Sequence, residues 1–578
     1  MNRPTRAALI VAGLSFLLVN SAQAGWQVWA TTETRRVLRE DPAEKPTAVR
    51  LASARNEWRG FQILVRSDVA LRGIRIEAGD LVGPGGAVLA SSQSRLFRQH
   101  QLHLIDPSYR NETFRPGWYA DALIPAAHPV SGEPLSGARF VAIPFDLPAE
   151  QTHGFWVDLY VPTGTKPGEY RGTYQVRSAE GQSAEIPVVL TVWDFELPQT
   201  PTMKTEFGSP AHNLRAYYEN RATAGKGKKL ADEDAAFLQV SQLLSEHRFN
   251  AAPKVGLTPH AQPDGTFRIP SEQIRSLRNF VDRFHVNAVT TPHPSQAVKD
   301  PEAESQRLGA WLAAWDRAAA ELDRPNVLFY TYLLDEPNDE QAYRYVRKWG
   351  RAIRQFKSAL KVLVVEQTLT QDPKWGDLNG AIDIWCPLFC LHDEATAAQR
   401  RALGETIWTY TALCQGEKMS PWWQTDFPLL HYRVPSWIAW RYRMRGLLYW
   451  GSMSVWNIVD DPWTEPGTYD LRKREKGPLY NGEGSLLYPG RDVGYEGVAA
   501  SLRLKALRDS LEDYEYLAIL ERLGRANEAE KIVLPLAESF FRWNPDPRAY
   551  DEARTKLAAL IVAATRTATD KPTQGRLK

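Results

Sequence analysis

The sequence predicts a multidomain protein that combines β and α/β structure: an N-terminal β-sandwich, a central (β/α)8 TIM-type barrel and C-terminal helices. Short strand-like runs broken by turns fill the first third of the chain, and strand-like runs alternate with helical runs after about residue 200. The chain has 578 residues, 43% of them hydrophobic, which is enough for more than one core. We predict a sandwich over residues 25–200, a barrel over 201–510 and a helical segment over 511–578.

Residues 1–24 have the pattern of a secretory signal peptide. Arg3 and Arg6 precede an apolar run from Ala7 to Val19, and Ala22-Gln23-Ala24 forms a typical cleavage site. The apolar run has 13 residues, whereas a membrane-spanning helix needs about 20. We therefore expect export to the periplasm or the medium, a mature chain that begins at Gly25, and no membrane span.

The charge balance disfavours nucleic acid and anionic membrane surfaces as partners. The leader holds two arginines and no acid, so removing it from a chain with 70 Lys+Arg and 68 Asp+Glu leaves 68 of each. Binding to nucleic acid or to anionic lipid selects for excess Lys and Arg. The 20 tryptophans favour a neutral glycan or oligosaccharide instead, because the C–H faces of sugar rings stack on large aromatic side chains.

The three cysteines, Cys386, Cys390 and Cys414, are too few for a disulfide framework. They permit one disulfide at most. The Cys-x3-Cys spacing has no matching histidine or second cysteine pair, so it does not predict a zinc site. We expect buried thiols or a single bridge, and no metal.

The predicted sandwich ends near Leu197-Pro198. Strand-like runs such as Phe61–Val65, Phe155–Val161 and Val188–Trp193 lack a helical period, and glycine and proline turns separate them. We expect this domain to support the unit that follows it.

The barrel prediction depends on eight strand-like runs with helical runs between most of them. The expected strands are Met203–Phe207, Phe249–Pro253, Val286–Thr291, Val327–Leu334, Val362–Gln367, Ile382–Leu388, Thr406–Ala412 and Gly446–Trp450. The expected helices are Asp232–His247, Ser271–Phe284, Gln341–Phe356 and Pro435–Arg445, and then Val498–Arg508, Asp513–Leu523, Glu528–Phe541 and Ala549–Thr565 near the C-terminus. An open doubly wound sheet would alternate similarly, but no strand here is followed by a glycine-rich phosphate loop.

An adjacent carboxylate pair, Asp335-Glu336, ends the fourth predicted strand just before Pro337. Catalytic residues of such barrels lie at the carboxyl ends of the strands. Successive strand residues point to opposite faces, so both acids reach one pocket only if the strand kinks there, which Pro337 favours. Asn338, Asp339, Glu340 and Gln341 follow as a helix capping box, and we assign them to capping.

The pair suits one particular chemistry. Cleavage of a glycosidic bond needs an acid for the leaving oxygen and a group that stabilises charge at the anomeric carbon. Neighbouring carboxyls stand too close for the usual acid and nucleophile, but they suit a substrate-assisted route in which the 2-acetamido group of the sugar is the nucleophile. Asp335 would orient the acetamido N–H, and Glu336 would be general acid and then general base.

Seven further residues that end predicted strands or follow them are candidates for the sugar pocket. Their rings could stack on a sugar and their amides could bond its hydroxyls, although packing explains any one of them about equally well. They are His293, Gln367, Trp385, Tyr410, Trp450, Trp456 and Asn457. We expect Asp509 and Asp513 to cap or brace a late helix pair.

Several segments carry a resemblance to a known family. Tyr332-Leu-Leu-Asp-Glu-Pro337 is similar to the Asp-Glu-Pro strand end of glycoside hydrolase family 123, the retaining β-N-acetylgalactosaminidases, and of the related domain of unknown function 4091 group. Other segments resemble the family's sandwich, the end of its barrel and the helices after it, in the same order, over nearly the whole mature chain. They are Glu57–Gln62, Pro162–Gly172, Trp193–Pro198, Gly446–Trp450, Gly482–Gly490 and Arg508–Tyr516.

The resemblance implies Glu336 as the acid/base, Asp335 as the residue that orients the acetamido group, and no metal or organic cofactor. N-acetylgalactosamine is the leading expectation for the sugar. Two alternatives stay open. One is a glycosidase for a sugar without an acetamido group, in which another carboxylate such as Glu366 is the nucleophile. The other is a non-catalytic carbohydrate-binding protein of the cell envelope.

Overall fold

The computed structural model describes residues 25–254, 256–414, 418–475 and 477–569. The predicted leader, residues 1–24, lies outside these ranges. Within them, no helix combines the length and the apolar character that crossing a lipid bilayer requires.

The N-terminal domain is rich in β-structure. Its strands are β1 (Trp26–Thr32), β2 (Val49–Arg55), β3 (Glu57–Ser67), β4 (Leu71–Ala78), β5 (Leu81–Val82), β6 (Val88–Leu89), β7 (Ser94–Leu104), β8 (Gly117–Pro125), β9 (Phe145–Leu147), β10 (His153–Val161), β11 (Gly168–Arg177) and β12 (Ser183–Glu196). One sheet has the order β1-β3-β10-β7-β8, and the other has the order β2-β12-β11-β4-β9 with β5 and β6 attached.

The two sheets share one hydrophobic core. Phe61 and Ile63 of β3 and Phe155 of β10 cluster with Tyr174 of β11 and Leu190 of β12. The rings of Phe61 and Tyr174 meet edge to face, with their centroids 5.3 Å apart. Apolar side chains that alternate along strands of both sheets therefore hold this domain together.

A seven-stranded, all-parallel sheet forms a nearly closed barrel after the N-terminal domain. Its strands are β13 (Lys204–Glu206), then, after a small hairpin of β14 (His260–Ala261) and β15 (Phe267–Arg268), β16 (Ala288–Thr291), β17 (Leu328–Asp335), β18 (Lys361–Val365), β19 (Ile384–Trp385), β20 (Thr406–Thr411) and β21 (Gly446–Tyr449). The order is β13-β21-β20-β19-β18-β17-β16, so β13 and β16 are the two edges.

The predicted count of eight strands is wrong, because the expected strand Phe249–Pro253 does not form. Asn250 fills the gap between the two edges with its side chain. Its Nδ2 donates to the Thr205 carbonyl and to Asn287 Oδ1, each at 3.0 Å, and its Oδ1 accepts from Asn287 N at 2.9 Å. Pro253 has no N–H for a strand ladder, so side-chain bonds replace strand pairing here.

Helices surround the barrel. They are α1 (Pro210–Thr223), α2 (Glu233–Glu246), α3 (Ser271–Phe284), α4 (Ser305–Leu322), α5 (Glu340–Arg354), α6 (Glu394–Ala402) and α7 (Leu430–Arg441). In α3 the buried residues Ile274, Leu277, Val281 and Phe284 recur every three or four positions. This spacing gives the helix one apolar face, which it buries against the barrel.

Short elements and long helices complete the chain. They are β22 (Tyr469–Asp470), α8 (Arg472–Glu475), β23 (Leu479–Tyr480), β24 (Leu487–Pro489), β25 (Val498–Ala500), α9 (Leu502–Arg522), α10 (Ala526–Val533), β26 (Ala537–Ser539), β27 (Arg542–Trp543) and α11 (Pro547–Thr569). The two helices expected at Val498–Arg508 and Asp513–Leu523 are one continuous helix, α9, which also runs through the expected domain boundary at residue 510. The helix expected at Glu528–Phe541 ends at Val533, and a hairpin follows.

Helix α9 ties the N-terminal domain to the barrel through buried ion pairs. Arg503 pairs with Asp121 of β8, and Lys505 and Arg508 both pair with Asp158 of β10 at 2.6 and 2.9 Å. Asp158 keeps a strongly lowered pKa despite its burial, because the two cations bond its carboxylate. Buried pairs of this kind fix one relative placement of the elements that carry them.

The predicted bracing role for the late aspartates agrees with the contacts of Asp513. Its carboxylate accepts from Arg433 Nε of α7 at 2.9 Å and from Arg554 Nη1 of α11 at 2.8 Å. Asp509 lies fully buried one turn earlier, 3.6 Å from the Arg508 guanidinium. Both aspartates are buried residues of α9.

Candidate active site

A cleft of about 390 Å³ opens at the carboxyl ends of the barrel strands. Residues at the ends of β13, β17, β20 and β21 contribute to its walls. This end of a parallel barrel is where catalytic side chains gather. Glu206, Tyr332, Asp335, Glu336, Tyr410 and Trp450 are among the residues that line it.

Asp335 and Glu336 both reach the cleft because the backbone departs from regular strand geometry around them. The pairing of β17 with β18 shifts register between Tyr332 and Leu334. Glu336 then adopts the left-handed region, with φ 41°. The sequence indicated a kink at Pro337, and the structure has it one residue earlier. A non-glycine residue in this region is strained by about 1–2 kcal/mol, so its surroundings must hold it there.

Each of the two acids accepts a hydrogen bond from a tyrosine. The Tyr332 hydroxyl donates to Asp335 Oδ1 at 2.9 Å, and the Tyr410 hydroxyl donates to Glu336 Oε1. Burial raises the pKa of both phenols far above the usual value, and the neighbouring carboxylates raise it further. Both tyrosines therefore remain protonated donors, while Asp335 and Glu336 themselves are exposed to the cleft.

Glu206 is a third carboxylate of the cleft, and the sequence reasoning missed it. It is the last residue of β13 and accepts from the Thr290 hydroxyl at 2.7 Å, from the Tyr330 hydroxyl, and from Gly208 N at 2.9 Å. These bonds fix the carboxylate at the cleft wall. The available signal was its position, since an acid near the end of the expected strand Met203–Phe207 meets the same criterion as Asp335.

Trp450, one of the predicted pocket residues, lies in the cleft wall and is held by a buried acid. Its Nε1 donates to Glu483 Oε1 at 2.7 Å, and the Tyr449 hydroxyl donates to the same oxygen at 3.0 Å. Gln424 Nε2 donates to the other oxygen. Burial raises the pKa of Glu483. The indole is thereby fixed in one orientation beside the carboxylate pair.

Two predicted pocket tryptophans belong to the core instead. Trp385 is 2% exposed and donates from Nε1 to Glu405 Oε2 at 2.8 Å. Trp456 is 1% exposed and donates to the Leu487 carbonyl at 2.8 Å. Both side chains pack in the main hydrophobic cluster and have no face open to a ligand.

His293, Gln367 and Asn457 also lie outside the residues that line the cleft. His293 Nδ1 accepts from Ser295 N at 3.0 Å in a short turn, and its Nε2 is 3.2 Å from the Tyr345 hydroxyl. Burial lowers the pKa of His293. Gln367 is half-buried after β18, and Asn457 is exposed in the loop after β21. Of the seven predicted pocket residues, the cleft therefore contains Tyr410 and Trp450.

Glu366, the nucleophile of one alternative, is buried. It follows β18 and is 5% exposed. The Tyr343 hydroxyl donates to its Oε1 at 3.2 Å, and Gln371 Nε2 lies 3.1 and 2.9 Å from its two oxygens. Burial raises its pKa to about 7. This carboxyl is not among the residues that line the cleft.

A helix begins after Pro337, as expected, but Asn338 does not cap it: its Oδ1 accepts from Gln371 Nε2 at 3.2 Å. Asp339 is the cap, and its Oδ1 accepts from Ala342 N at 2.7 Å. Helix α5 starts at Glu340, whose carboxylate pairs with Arg344 at the surface. Asp339 and Glu340 therefore belong to the start of α5, and neither lines the cleft that contains Asp335 and Glu336.

Among the described residues there is no disulfide and no group of three His, Cys, Asp or Glu side chains arranged to hold a metal ion. Cys386 is buried in a cluster of side chains from the barrel strands, and this burial raises the pKa of its thiol. Cys414 lines the cleft, and the Cys390 thiol lies 3.8 Å from its carbonyl oxygen.

Comparisons with known proteins identify relatives of both domains. The sequence model of the glycoside hydrolase 123 N-terminal domain matches residues 29–178, and that of the glycoside hydrolase 123 catalytic domain matches residues 325–520. The two matches together span more than half of the chain. No curated protein matches the chain.

Solved structures include one with a similar fold over most of the chain. A family 123 glycoside hydrolase from Clostridium perfringens, studied for glycolipid glycan hydrolysis, aligns with a TM-score of 0.64 and 11% identity over 94% of this chain and 100% of that chain. At this identity the likeness shows the fold alone. A xyloglucanase of family GH5 from Bacteroides ovatus covers 84% of this chain and 100% of its own at 10% identity, with a TM-score of only 0.24.

Proposed function

The chain belongs to glycoside hydrolase family 123, and from this premise we propose that it is a retaining, substrate-assisted glycosidase for a β-linked 2-acetamido sugar. N-acetylgalactosaminide is the leading candidate. The observation that carries the proposal is the pair of consecutive carboxylates, Asp335 and Glu336, that lines one cleft with a phenol on each. Family membership supports glycosidase activity, and this pair supports the acetamido route.

In the first step, the acetamido carbonyl oxygen attacks the anomeric carbon and the bond to the leaving oxygen breaks. Asp335 accepts the acetamido N–H, which orients the amide and stabilises the positive charge that develops on it. Glu336 gives its proton to the leaving oxygen, so the aglycone departs as an alcohol. The products are a protonated oxazoline of the sugar and the Glu336 carboxylate.

In the second step, Glu336 acts as the base. It takes a proton from water as the water oxygen attacks the anomeric carbon from the side that the aglycone left. The bond between the anomeric carbon and the acetamido oxygen breaks, and the free amide returns. Two successive inversions leave the anomeric configuration retained, and Glu336 is again protonated for the next substrate.

The two tyrosines support this division of roles. Tyr332 holds Asp335, and Tyr410 holds Glu336 from the opposite side of the cleft. Fixing each carboxyl in advance lowers the reorganisation that the reaction requires. Trp450 offers an indole face for the sugar ring, and Glu206 offers a carboxylate for a sugar hydroxyl.

The alternative with Glu366 as nucleophile has less support, because its buried carboxyl is held by Tyr343 and Gln371 outside the cleft. The proposed route uses the substrate's own amide and needs no metal or organic cofactor.

Turnover of 4-nitrophenyl glycosides tests the proposal. We expect release of nitrophenol from a β-N-acetylhexosaminide but not from the matched β-galactoside, because only the former carries the acetamido nucleophile. A thiazoline analogue of the oxazoline should inhibit the enzyme strongly, and Asp335→Asn should weaken that inhibition by about 100-fold or more. Equal turnover of both sugars, or indifference to the thiazoline, would contradict substrate assistance. Binding of an oligosaccharide without any product would favour the non-catalytic alternative.

Export is part of the proposal. We expect the activity in the periplasm or the medium of the producing cell, with a mature N-terminus at Gly25, which fractionation and N-terminal sequencing would test. An unprocessed chain in the cytoplasmic fraction would contradict it.

A further inference from the structure

The buried carboxyl of Glu366 lies behind the turn that presents Glu336 to the cleft. Strands β17 and β18 are neighbours, and Glu336 and Glu366 follow their last residues. Glu336 N donates to the Val365 carbonyl at 3.1 Å, which continues the ladder one step past β17. The two acids thus occupy equivalent positions just after the ends of adjacent strands. Glu336 is exposed to the cleft, whereas Glu366 is 5% exposed.

Gln371 connects Glu366 to the turn after Glu336. Its Nε2 lies 2.9 Å from Glu366 Oε2, 3.2 Å from the Pro337 carbonyl oxygen and 3.2 Å from Asn338 Oδ1. One amide nitrogen with two hydrogens is thus shared among the buried carboxylate and two successive residues of the turn. The Tyr343 hydroxyl completes the cluster, since it donates to Glu366 and accepts from Gln371 N at 3.3 Å.

This cluster lies where the backbone needs support. The left-handed conformation of Glu336 costs about 1–2 kcal/mol and persists only if neighbouring contacts hold it. Pro337 offers no N–H to the surrounding structure, so its carbonyl is the backbone group at this residue that can be anchored. Gln371 provides that anchor, and Glu366 and Tyr343 hold Gln371.

The electrostatic surroundings of Glu366 couple it to Glu336. Within the described residues, no Lys, Arg or His lies within salt-bridge distance of Glu366. The titratable groups that face it are Glu336 after β17 and Tyr343 on α5, with Arg347 of α5 near Tyr343. Burial, and to a lesser degree the charge of Glu336, raise the pKa of Glu366 to about 7. The two carboxyls therefore interact electrostatically across the turn.

We propose that Glu366 is a positioning residue for Glu336: through Gln371 and Tyr343 it anchors the turn at Pro337 and Asn338 that aims Glu336 into the cleft. The proposal deepens the function proposed above and rests on Glu336 being the acid/base of that reaction. Glu366 itself touches neither substrate nor reacting atoms.

Two substitutions test this role against a matched control. Glu366→Gln keeps the shape of the side chain but removes its charge and one acceptor, and Gln371→Ala removes the link to the turn. Glu340→Gln changes an exposed glutamate two residues beyond Asn338 and serves as the control. Thermal unfolding of each variant would confirm that it folds, and Tyr343→Phe replaces any variant that does not.

We expect Glu366→Gln and Gln371→Ala to lower kcat on the N-acetylhexosaminide by about 10-fold or more with little change in KM, because the acid is misplaced after the substrate has bound. An unchanged kcat in Glu366→Gln, or a rise in KM alone, would overturn the proposal.

Amide hydrogen exchange at Glu336 separates this inference from the proposed function. If the cluster holds the turn, the Glu336 amide should exchange faster in Glu366→Gln and Gln371→Ala than in the wild type and in Glu340→Gln. This measurement is informative even if the wild type hydrolyses no acetamido sugar, an outcome that would refute only the proposed function. Exchange that is unchanged in both variants would overturn the positioning role whatever the activity.

Discussion

Tyr410 holds the carboxyl of Glu336 from the opposite side of the cleft, and Tyr332 holds Asp335. Their raised pKa values keep both hydroxyls as donors, so a phenol fixes one oxygen of each acid, and within the described part of the chain no side chain donates to the other oxygen. The candidate site therefore consists of two acids and the two tyrosines that hydrogen-bond them.

Removing the Tyr410 hydroxyl should slow the reaction more than it weakens binding. A hydrogen bond to a charged group contributes about 1.5–3 kcal/mol, so Tyr410→Phe is expected to lower kcat by about 10-fold or more while KM changes little. Steady-state kinetics on the N-acetylhexosaminide measure this, and Tyr345→Phe, which lies outside the cleft, is the control. Equal kcat values for Tyr410→Phe and the wild type would show that the bond has no catalytic role.

The sequence predicted the carboxylate pair from two chain neighbours, and both acids line the cleft, but it separated pocket aromatics from core aromatics poorly. Trp385 and Trp450 both occur at strand ends, yet one donates to a buried acid within the core and the other faces the cleft. Which face a strand end presents depends on register and on the following loop, and neither can be read from a single residue. The sequence analysis did not predict Glu206 as a cleft residue, because a single acid in a short strand is not a recognisable motif.

Among the elements, the predicted second barrel strand is absent, which leaves a gap between the edge strands β13 and β16. Phe249–Pro253 has the apolar character of a barrel strand, but its backbone forms no strand ladder, and Asn250 bridges Thr205 and Asn287 through its side chain. Seven of the eight expected strands form, because alternation of apolar runs with helices is a local property of the sequence. Closure of the barrel depends on side-chain contacts that periodicity does not encode.

Asn250→Ala should destabilise the barrel by about 1–3 kcal/mol, because it leaves the backbone N–H and the side-chain carbonyl of the buried Asn287 without partners. Urea unfolding followed by tryptophan fluorescence measures the change, with exposed Asn457→Ala as the control. A loss no larger than that of the control would mean that other contacts close the gap.

Helix α9 shows a second kind of difference between expectation and structure. Its sequence suggested two helices, yet Leu502–Arg522 is continuous and buried on nearly every side, with its charged residues paired to the N-terminal domain and to α7 and α11. A helix that is polar in sequence normally lies at the surface. Here the partners come from β8, β10, α7 and α11, which are distant in the chain, so the sequence of α9 alone cannot reveal its burial.

Across the whole molecule, three buried glutamates have raised pKa values and make stability depend on pH. Burial raises the pKa of Glu33 and Glu366 to about 7 and that of Glu512 to about 8. A raised carboxyl pKa stabilises the fold below the unfolded value, near 4.5, and this contribution is lost as the pH rises through the folded value. Burial lowers the pKa of His100 and His431 to about 4. Below about pH 6.5 these histidines are protonated in the unfolded chain but remain neutral in the fold, so they destabilise the fold in acid.

We therefore expect the melting temperature to fall as the pH is raised from about 6.5 to 8, where the glutamates ionise and the histidines are already neutral. Glu512→Gln should flatten this decline, since it removes the carboxyl with the highest of the three pKa values. Scanning calorimetry across this range provides the measurement. A melting temperature that stays constant or rises over the same range would contradict the raised pKa values of these acids.

The most direct measurement for the central claim compares kcat/KM of Glu336→Gln with that of Glu340→Gln on 4-nitrophenyl N-acetyl-β-galactosaminide. Both substitutions replace one exposed glutamate by its amide, four residues apart. Loss of a general acid/base lowers the rate by about 100- to 10,000-fold, so Glu336→Gln should fall within or below that range while Glu340→Gln stays near the wild type. Wild-type turnover by Glu336→Gln, with its fold intact, would show that the reaction proceeds without the acid on which this account depends.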